Sequence, residues 1–271
     1  MEFNIACLQV RPKPDFASSL DEAIVLAENA VNAGADMLTL PEYCGGLQTE
    51  GFSFLPPHSP EESHPVLKGL IKFAKNKKKY ILIGSIGISG PKGKIFNRSY
   101  IIDDYGKIVS RYDKIHLFDI KLSEDDYYLE SRTVKGGKKA VISKTPLGCF
   151  GQTICYDLRF PNLFRELSKK GAEILFVPSA FTKKTGQAHW HVLNRARAIE
   201  NGAFIVAPCS VGEIAGGGES YGHSLIINPW GEILADGGSH EGFINVNINL
   251  KEVFKARNLI PSLSNEKKFG F

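Results

Sequence analysis

Cys155 lies in Gly148-Cys149-Phe150-Gly151-Gln152-Thr153-Ile154-Cys155-Tyr156-Asp157-Leu158-Arg159-Phe160-Pro161, where a strand-like run meets helix-forming residues with Pro161 in the first turn. A side chain at such a strand-to-helix turn is presented sharply, and nearby backbone N–H groups can face an anion. The run is not GxSxG, so the comparison concerns geometry only. A thiol with a pKa of about 8.5 is only slightly ionised at neutral pH, so a nucleophilic cysteine needs a base or a cation beside it. The other four cysteines, Cys7, Cys44, Cys149 and Cys209, read as inert buried thiols. Glu42 ends the apolar run Met37-Leu38-Thr39-Leu40-Pro41, and burial at such an edge raises a carboxyl toward the range useful for a base. Lys114, in Arg111-Tyr112-Asp113-Lys114-Ile115-His116-Leu117, looks on its own like one of many surface lysines.

Taken together, three segments say more. Leu40-Pro41-Glu42-Tyr43, Tyr112-Asp113-Lys114-Ile115-His116-Leu117 and Ile154-Cys155-Tyr156-Asp157-Leu158-Arg159-Phe160-Pro161 strongly resemble, in order, the signature segments of the nitrilase superfamily. The resemblance continues through Phe96-Asn97-Arg98-Ser99, Pro178-Ser179-Ala180-Phe181, Thr185-Gly186-Gln187-Ala188-His189-Trp190 and Arg195-Ala196-Arg197-Ala198-Ile199-Glu200-Asn201. It implies a carbon–nitrogen hydrolase acting on a small-molecule amide, with Glu42 as base, Lys114 and the Tyr156 backbone N–H as oxyanion stabilisers, and Cys155 as the nucleophile that forms a thioester and releases ammonia. It also implies a second glutamate, Glu130, near the lysine and the substrate; two carboxylates beside one ammonium and one thiol then titrate as a coupled set. Tyr43 departs from a common family pattern and is expected to affect only the pocket wall.

Within the superfamily the segments look most like the branch containing omega-amidase and deaminated glutathione amidase, which implies a 2-oxo-acid amide as substrate. Arg159 either holds a substrate carboxylate by a bidentate pair or is structural, capping or pairing with Asp157, while Phe181 and Thr185 line the same pocket. An N-carbamoyl amine hydrolase using the same three residues and a non-catalytic scaffold of the same fold are the competing readings. No cofactor is expected. His189-Trp190-His191 opens a helical stretch in which i and i+2 histidines point to different sides, so no metal site is read there.

The elements that must position these residues repeat. A strand over residues 3–10 is followed by Leu20, Ile24, Ala27, Ala30 and Val31 at helical spacing up to Gly34, then by Gly34-Ala35-Asp36-Met37-Leu38-Thr39-Leu40-Pro41. The unit returns as a strand over 149–155, a helix with Phe160, Leu163, Phe164 and Leu167 on one face, and Gly171-Ala172-Glu173-Ile174-Leu175-Phe176-Val177-Pro178. The segment from Ser99 to Val109 also aligns without gaps on Ser224 to Leu234, each reading as strand, glycine turn, strand. Two such halves predict an α/β fold: a four-layer α-β-β-α sandwich with two pseudo-symmetric halves, within a single domain over 1–271.

Composition excludes several other classes. A net charge of +4 from 33 basic and 29 acidic residues is mild, and the run Lys75 to Lys79 lacks interleaved aromatics, so it reads as a solvated helix end and not as a nucleic-acid patch. No apolar stretch is long enough for a bilayer, and Met1-Glu2-Phe3-Asn4 lacks the layout of a secretion signal, so a soluble cytoplasmic protein is expected. Five scattered cysteines without a CxxC pair suggest neither disulfides nor zinc. Gly136-Gly137 and Gly216-Gly217-Gly218 read as loops. The segment 250–271, with Phe254, Leu259, Ile260 and Phe271 in a polar tail, is expected to reach a neighbouring subunit of at least a homodimer.

Overall fold

In a computed structural model describing residues 1–51, 53–123 and 126–270, strands and helices alternate as the sequence periodicity requires. The first half contains β1 (Glu2–Gln9), α1 (Phe16–Asn32), β2 (Met37–Thr39), α2 (Pro65–Lys77), β3 (Tyr80–Ser89), β4 (Ile95–Ile102) and β5 (Ile108–Asp113). The second contains β6 (Val141–Thr145), β7 (Gly148–Gln152), α3 (Pro161–Lys169), β8 (Ile174–Phe176), α4 (Lys183–Asn201), β9 (Phe204–Ala207), β10 (Leu225–Ile227) and β11 (Ile233–Asp236). The strand β12 (Gly242–Asn249) and the helix α5 (Lys251–Leu259) complete it.

The two sheets have the same design. One runs β12-β1-β2-β3-β4-β5, with the short strand His58–Ser59 beside β3; the other runs β6-β7-β8-β9-β10-β11. In each the second, third and fourth strands are parallel and the other pairings along the six-strand order are antiparallel, while His58–Ser59 lies parallel to β3. The glycines of the repeated segments take the same conformations: Gly34 and Gly171 at the helix exits have φ of 88° and 100°, and Gly106 and Gly231 in the hairpins have 80° and 85°. A buried glutamine from each sheet reaches the matching hairpin of the other. Gln9 accepts from the Ser224 N–H at 2.7 Å, and Gln152 donates to the Ser99 hydroxyl at 3.2 Å.

Three apolar clusters account for the layers. Phe3, Ile5, Met37, Leu82 and Ile101 of one sheet meet Phe150, Ile174, Phe176, Phe204 and Ile226 of the other. Ala23, Ala27 and Ala30 of α1 and Leu67 and Leu70 of α2 cover the outer face of the first sheet, and α3 and α4 cover the second through Leu163, Phe164, Trp190 and Ala198. The result is the four-layer α-β-β-α sandwich. Strand β3 is buried along almost its whole length because a helix layer lies on one face and a sheet on the other. Strand β12 brings the end of the chain back to the first sheet, pairing with β1 from Glu2 opposite Asn249 to Gln9 opposite Gly242.

Two expectations about helices need correction. Helix α4 begins at Lys183, not at His189; Thr185 and Gly186 weaken the helical signal of its first turn, and Gly186 is there because a Cβ would lie 2.3 Å from the Tyr221 ring. The strand before Cys155 ends at Gln152, and a 3₁₀ turn over Cys155–Arg159 separates it from α3, so Phe160 precedes that helix instead of facing inward from it. The basic run 75–79 does close α2, with Lys78 in the left-handed region. In the tail, Phe254, Leu259 and Ile260 are exposed, and Phe271 lies outside the described residues.

Candidate active site

The site is built where equivalent strand exits of the two sheets meet. Leu40-Pro41-Glu42 leaves β2 and Pro178-Ser179-Ala180 leaves β8. They approach so closely over β3 that a Cβ on Gly84 would lie 2.0 Å from the Leu40 carbonyl oxygen and 2.5 Å from Pro178. The Ala180 N–H of one exit donates to Glu42 Oε2 of the other at 2.9 Å.

Cys155 begins its turn with φ of 48°, an uncommon conformation for a residue with a Cβ, while its N–H donates to the Pro178 carbonyl at 2.9 Å. The turn is held by Asp157. Its buried carboxylate accepts from the Ile154 N–H at 2.9 Å, the Tyr112 hydroxyl at 2.6 Å and the His116 N–H at 3.0 Å, with His116 Nδ1 2.7 Å away. Tyr112 and His116 flank Lys114, so one carboxylate locks the cysteine turn to the lysine segment. Arg197 donates twice to the Leu158 carbonyl at the far end of the same turn, at 3.0 and 2.7 Å.

Lys114 Nζ lies 2.8 Å from Glu42 Oε1 and 2.9 Å from Glu130 Oε2, and all three side chains are at most 3% exposed. Asn97 donates from one amide nitrogen to both carboxylates, at 2.9 and 3.1 Å. Glu130 also accepts from the Tyr43 hydroxyl at 3.0 Å and the Phe118 N–H at 2.7 Å. Burial works against the Lys114 charge, but Glu130 and then Glu42 outweigh it and hold the ammonium well above its usual pKa. Burial, then the Glu42 charge, pushes the Cys155 thiol well above its ordinary value against the pull of Lys114; a hydrogen bond to Glu42 adds to the rise. The resting arrangement is therefore a neutral thiol beside a carboxylate.

These groups form the floor of a pocket of about 370 Å³ including its open mouth. Its walls include Phe54, Phe118, Tyr156, Phe181 and Thr185. The structure thus brings together Glu42, Lys114, Cys155 and Glu130, with Tyr43, Tyr156, Phe181 and Thr185 around them. Tyr43 does more than shape the wall, because its hydroxyl bonds Glu130, and burial followed by the Glu130 charge keeps that hydroxyl protonated. Arg159 does not line the floor. Its guanidinium lies 5.6 Å from the Phe181 ring centre and 6.0 Å from that of Tyr156, with His189 Nδ1 at 3.3 Å. It makes no pair with Asp157, whose oxygens are taken by Tyr112, His116 and Ile154. Sequence reasoning missed the Asn97 bridge, the Ala180 and Phe118 N–H donors and the Phe54 wall. Only Asn97 carried a signal, as a polar residue at an inward position of β4 that is fully buried.

The fold and this floor define a class. The carbon-nitrogen hydrolase family model matches residues 4–258, and the chain belongs to that family, within the nitrilase superfamily, as an enzyme of the amidase type. Among individual relatives, it is 38% identical over 266 residues to a deaminated glutathione amidase of Synechocystis sp. (strain PCC 6803 / GT-S), covering 95% of this chain and 96% of that protein. It is 32% identical over 260 residues to omega-amidase NIT2 of Xenopus tropicalis, covering 96% and 93%. Of solved structures, the C. elegans NitFhit protein superposes with a TM-score of 0.89 at 30% identity; the match covers 98% of this chain but 65% of that longer one. Saccharomyces cerevisiae Nit3, described as a member of branch 10 of the nitrilase superfamily, gives 0.84 at 29% identity, covering 96% and 94%.

Asp157→Ala removes the shared acceptor of two site segments and leaves buried donors unpaired, so a loss of about 3 kcal/mol in urea unfolding is expected. An unchanged unfolding midpoint contradicts the locking role of this carboxylate.

Proposed function

We propose that the enzyme hydrolyses the amide of a small 2-oxo acid, an omega-amide or deaminated glutathione, to a carboxylic acid and ammonia through a thioester on Cys155. The observation that carries the reading is the convergence of Cys155 and Glu42 in one pocket, beside an ammonium fixed between two carboxylates. Glu42 takes the thiol proton as the sulfur attacks the amide carbon, and Lys114 Nζ with the Tyr156 N–H holds the tetrahedral oxyanion. The C–N bond breaks as Glu42 returns the proton to the leaving nitrogen, so ammonia departs and the thioester remains. Water then gives a proton to Glu42 and attacks the thioester; collapse releases the acid and reprotonates the sulfur. Glu130 and Asn97 keep Lys114 and Glu42 in register through these steps, while the Tyr43 hydroxyl holds Glu130.

Support for the substrate comes from the pocket and the relatives. The charged floor takes the amide, the aromatic walls take a short carbon chain, and Arg159 over the Phe181 and Tyr156 rings offers a cation near the wall for a far carboxylate. Relatives of this chain carry the names deaminated glutathione amidase and omega-amidase. We place the enzyme in the cytoplasm; among the described residues no helix is long and apolar enough to cross a membrane.

Turnover of 2-oxoglutaramate and deaminated glutathione, with a plain aliphatic amide and a nitrile alongside, tests the assignment. At least one oxo-acid amide is expected to be preferred, Lys114→Ala to lose about 10²–10³ in kcat, and Cys155→Ala to lose all detectable activity. Activity confined to the aliphatic amide and nitrile removes the substrate assignment, carbon dioxide released with ammonia indicates a carbamoyl substrate, and wild-type turnover by Cys155→Ala ends the mechanism.

We further propose a homodimer that covers the exposed Phe254, Leu259 and Ile260 near the chain end, together with Trp230, which shares a surface groove with Leu259. Light scattering is expected to give at least twice the 29.8 kDa chain mass, and a monomeric mass contradicts the dimer.

A further inference from the structure

We propose that His191, His223 and Asp236 form a surface site for one divalent transition-metal ion of the zinc type. The expectation that His191 has no metal role considered only its sequence neighbour His189. The fold supplies partners from elsewhere: His191 lies on α4, His223 in the turn entering β10, and Asp236 at the end of β11. The ligand atoms of the three all lie within 4.8 Å of one another. His191 Nε2 is 2.9 Å from Asp236 Oδ2, and His223 Nδ1 is 2.9 Å from Oδ1 and 3.2 Å from Oδ2.

The donor set suits such an ion. Two imidazole nitrogens and one carboxylate make the open three-ligand arrangement of zinc, with water in the fourth position, and imidazole favours zinc, nickel or copper over calcium or magnesium. With metal–ligand bonds of about 2.0–2.2 Å, the carboxylate contacts open by a few tenths of an ångström. All three side chains are about one-third exposed, so an ion can enter from solvent and a water can complete the shell. The Asp236 carboxylate supplies an anionic ligand that complements a dication. Each ring proton now shared with Asp236 moves to the other ring nitrogen when the ion takes its place.

The surroundings hold the ligands before an ion arrives. His223 has φ of 53° after Gly222 at 75°, a left-handed conformation that costs a residue with a Cβ. Its N–H donates to the Gly238 carbonyl and its carbonyl accepts from Trp190 Nε1, both at 2.7 Å, and its ring stacks on Tyr221 with centres 4.5 Å apart. The Gly238 N–H donates to Asp236 Oδ1 at 2.9 Å, orienting the carboxylate. An ion here would staple α4 to the β10–β11 hairpin. The inference is independent of the substrate and the thioester.

The test is a calorimetric titration of metal-free Cys155→Ala protein with zinc chloride, the variant serving to remove the pocket thiol as a rival ligand. One ion per chain is expected, bound at least about tenfold more weakly when His191→Gln or Asp236→Asn is added. No saturable binding, or equal affinity in all three proteins, overturns the site and leaves the cluster as a hydrogen-bonded bracket. Cobalt(II) absorption of the Cys155→Ala protein gives a readout that does not depend on the second variant folding. Visible ligand-field bands without a thiolate charge-transfer band support the site, whereas a thiolate band places the ion on a cysteine and overturns it.

Discussion

A single ammonium held out of water between two carboxylates constrains the rest of the molecule. Lys114, Glu42 and Glu130 are almost wholly buried, and charges taken from water at that depth persist only if each remaining lone pair and proton is matched. The matching groups arrive from six places: Glu42 at the exit of β2, Asn97 on β4, Lys114 after β5, the Phe118 N–H, Glu130, and the Ala180 N–H at the exit of β8. No short stretch of chain can gather these, so the cluster exists only when both sheets are formed and packed. The thiol of Cys155 inherits its environment from this cluster: burial and then the Glu42 charge push it well above its ordinary value against the pull of Lys114.

The pseudo-symmetry of the halves explains why the site lies where it does. Pro41 and Pro178 end equivalent strands, and the chain beyond each crosses the same glycine, Gly84, at distances that no side chain would allow. The duplication therefore provides a seam, and only one copy of each equivalent position is charged: Glu42 on one side faces the Ala180 backbone on the other. Ligand sites at the carboxyl ends of strands follow the general rule for open α/β sheets, realised here between two sheets instead of within one.

Much of this was legible in the sequence because it is written in contiguous segments. The apolar runs, the exits at Gly34 and Gly171 and the paired hairpins each carry a local signal, and so the two-sheet architecture was readable. Glu42, Lys114 and Cys155 were readable as a set because each sits in a patterned segment, although none is distinctive alone. What stayed hidden depends on distance in the chain. The N–H groups of Phe118 and Ala180 have no residue-type signature, Tyr43 shows its hydroxyl role only once Glu130 is beside it, and Phe54 comes from a two-residue strand. The start of α4 was obscured because glycine is a poor helix former, while the Tyr221 ring leaves no room for a Cβ at Gly186. Arg159 was left between two roles by the sequence; the occupation of Asp157 by other donors excludes that one pairing, and the two roles stay open.

The central claim is that Glu42 and Lys114 together set the state of the sulfur. The most direct measurement is the ultraviolet thiolate absorbance of Cys155 as a function of pH in the wild-type protein and in Glu42→Gln, with Cys155→Ala as the blank. Removing the carboxylate deletes a cause that raises the thiol and leaves the opposing Lys114 charge in place, so the account predicts a midpoint shifted to lower pH in Glu42→Gln. A midpoint that stays put or rises would contradict it.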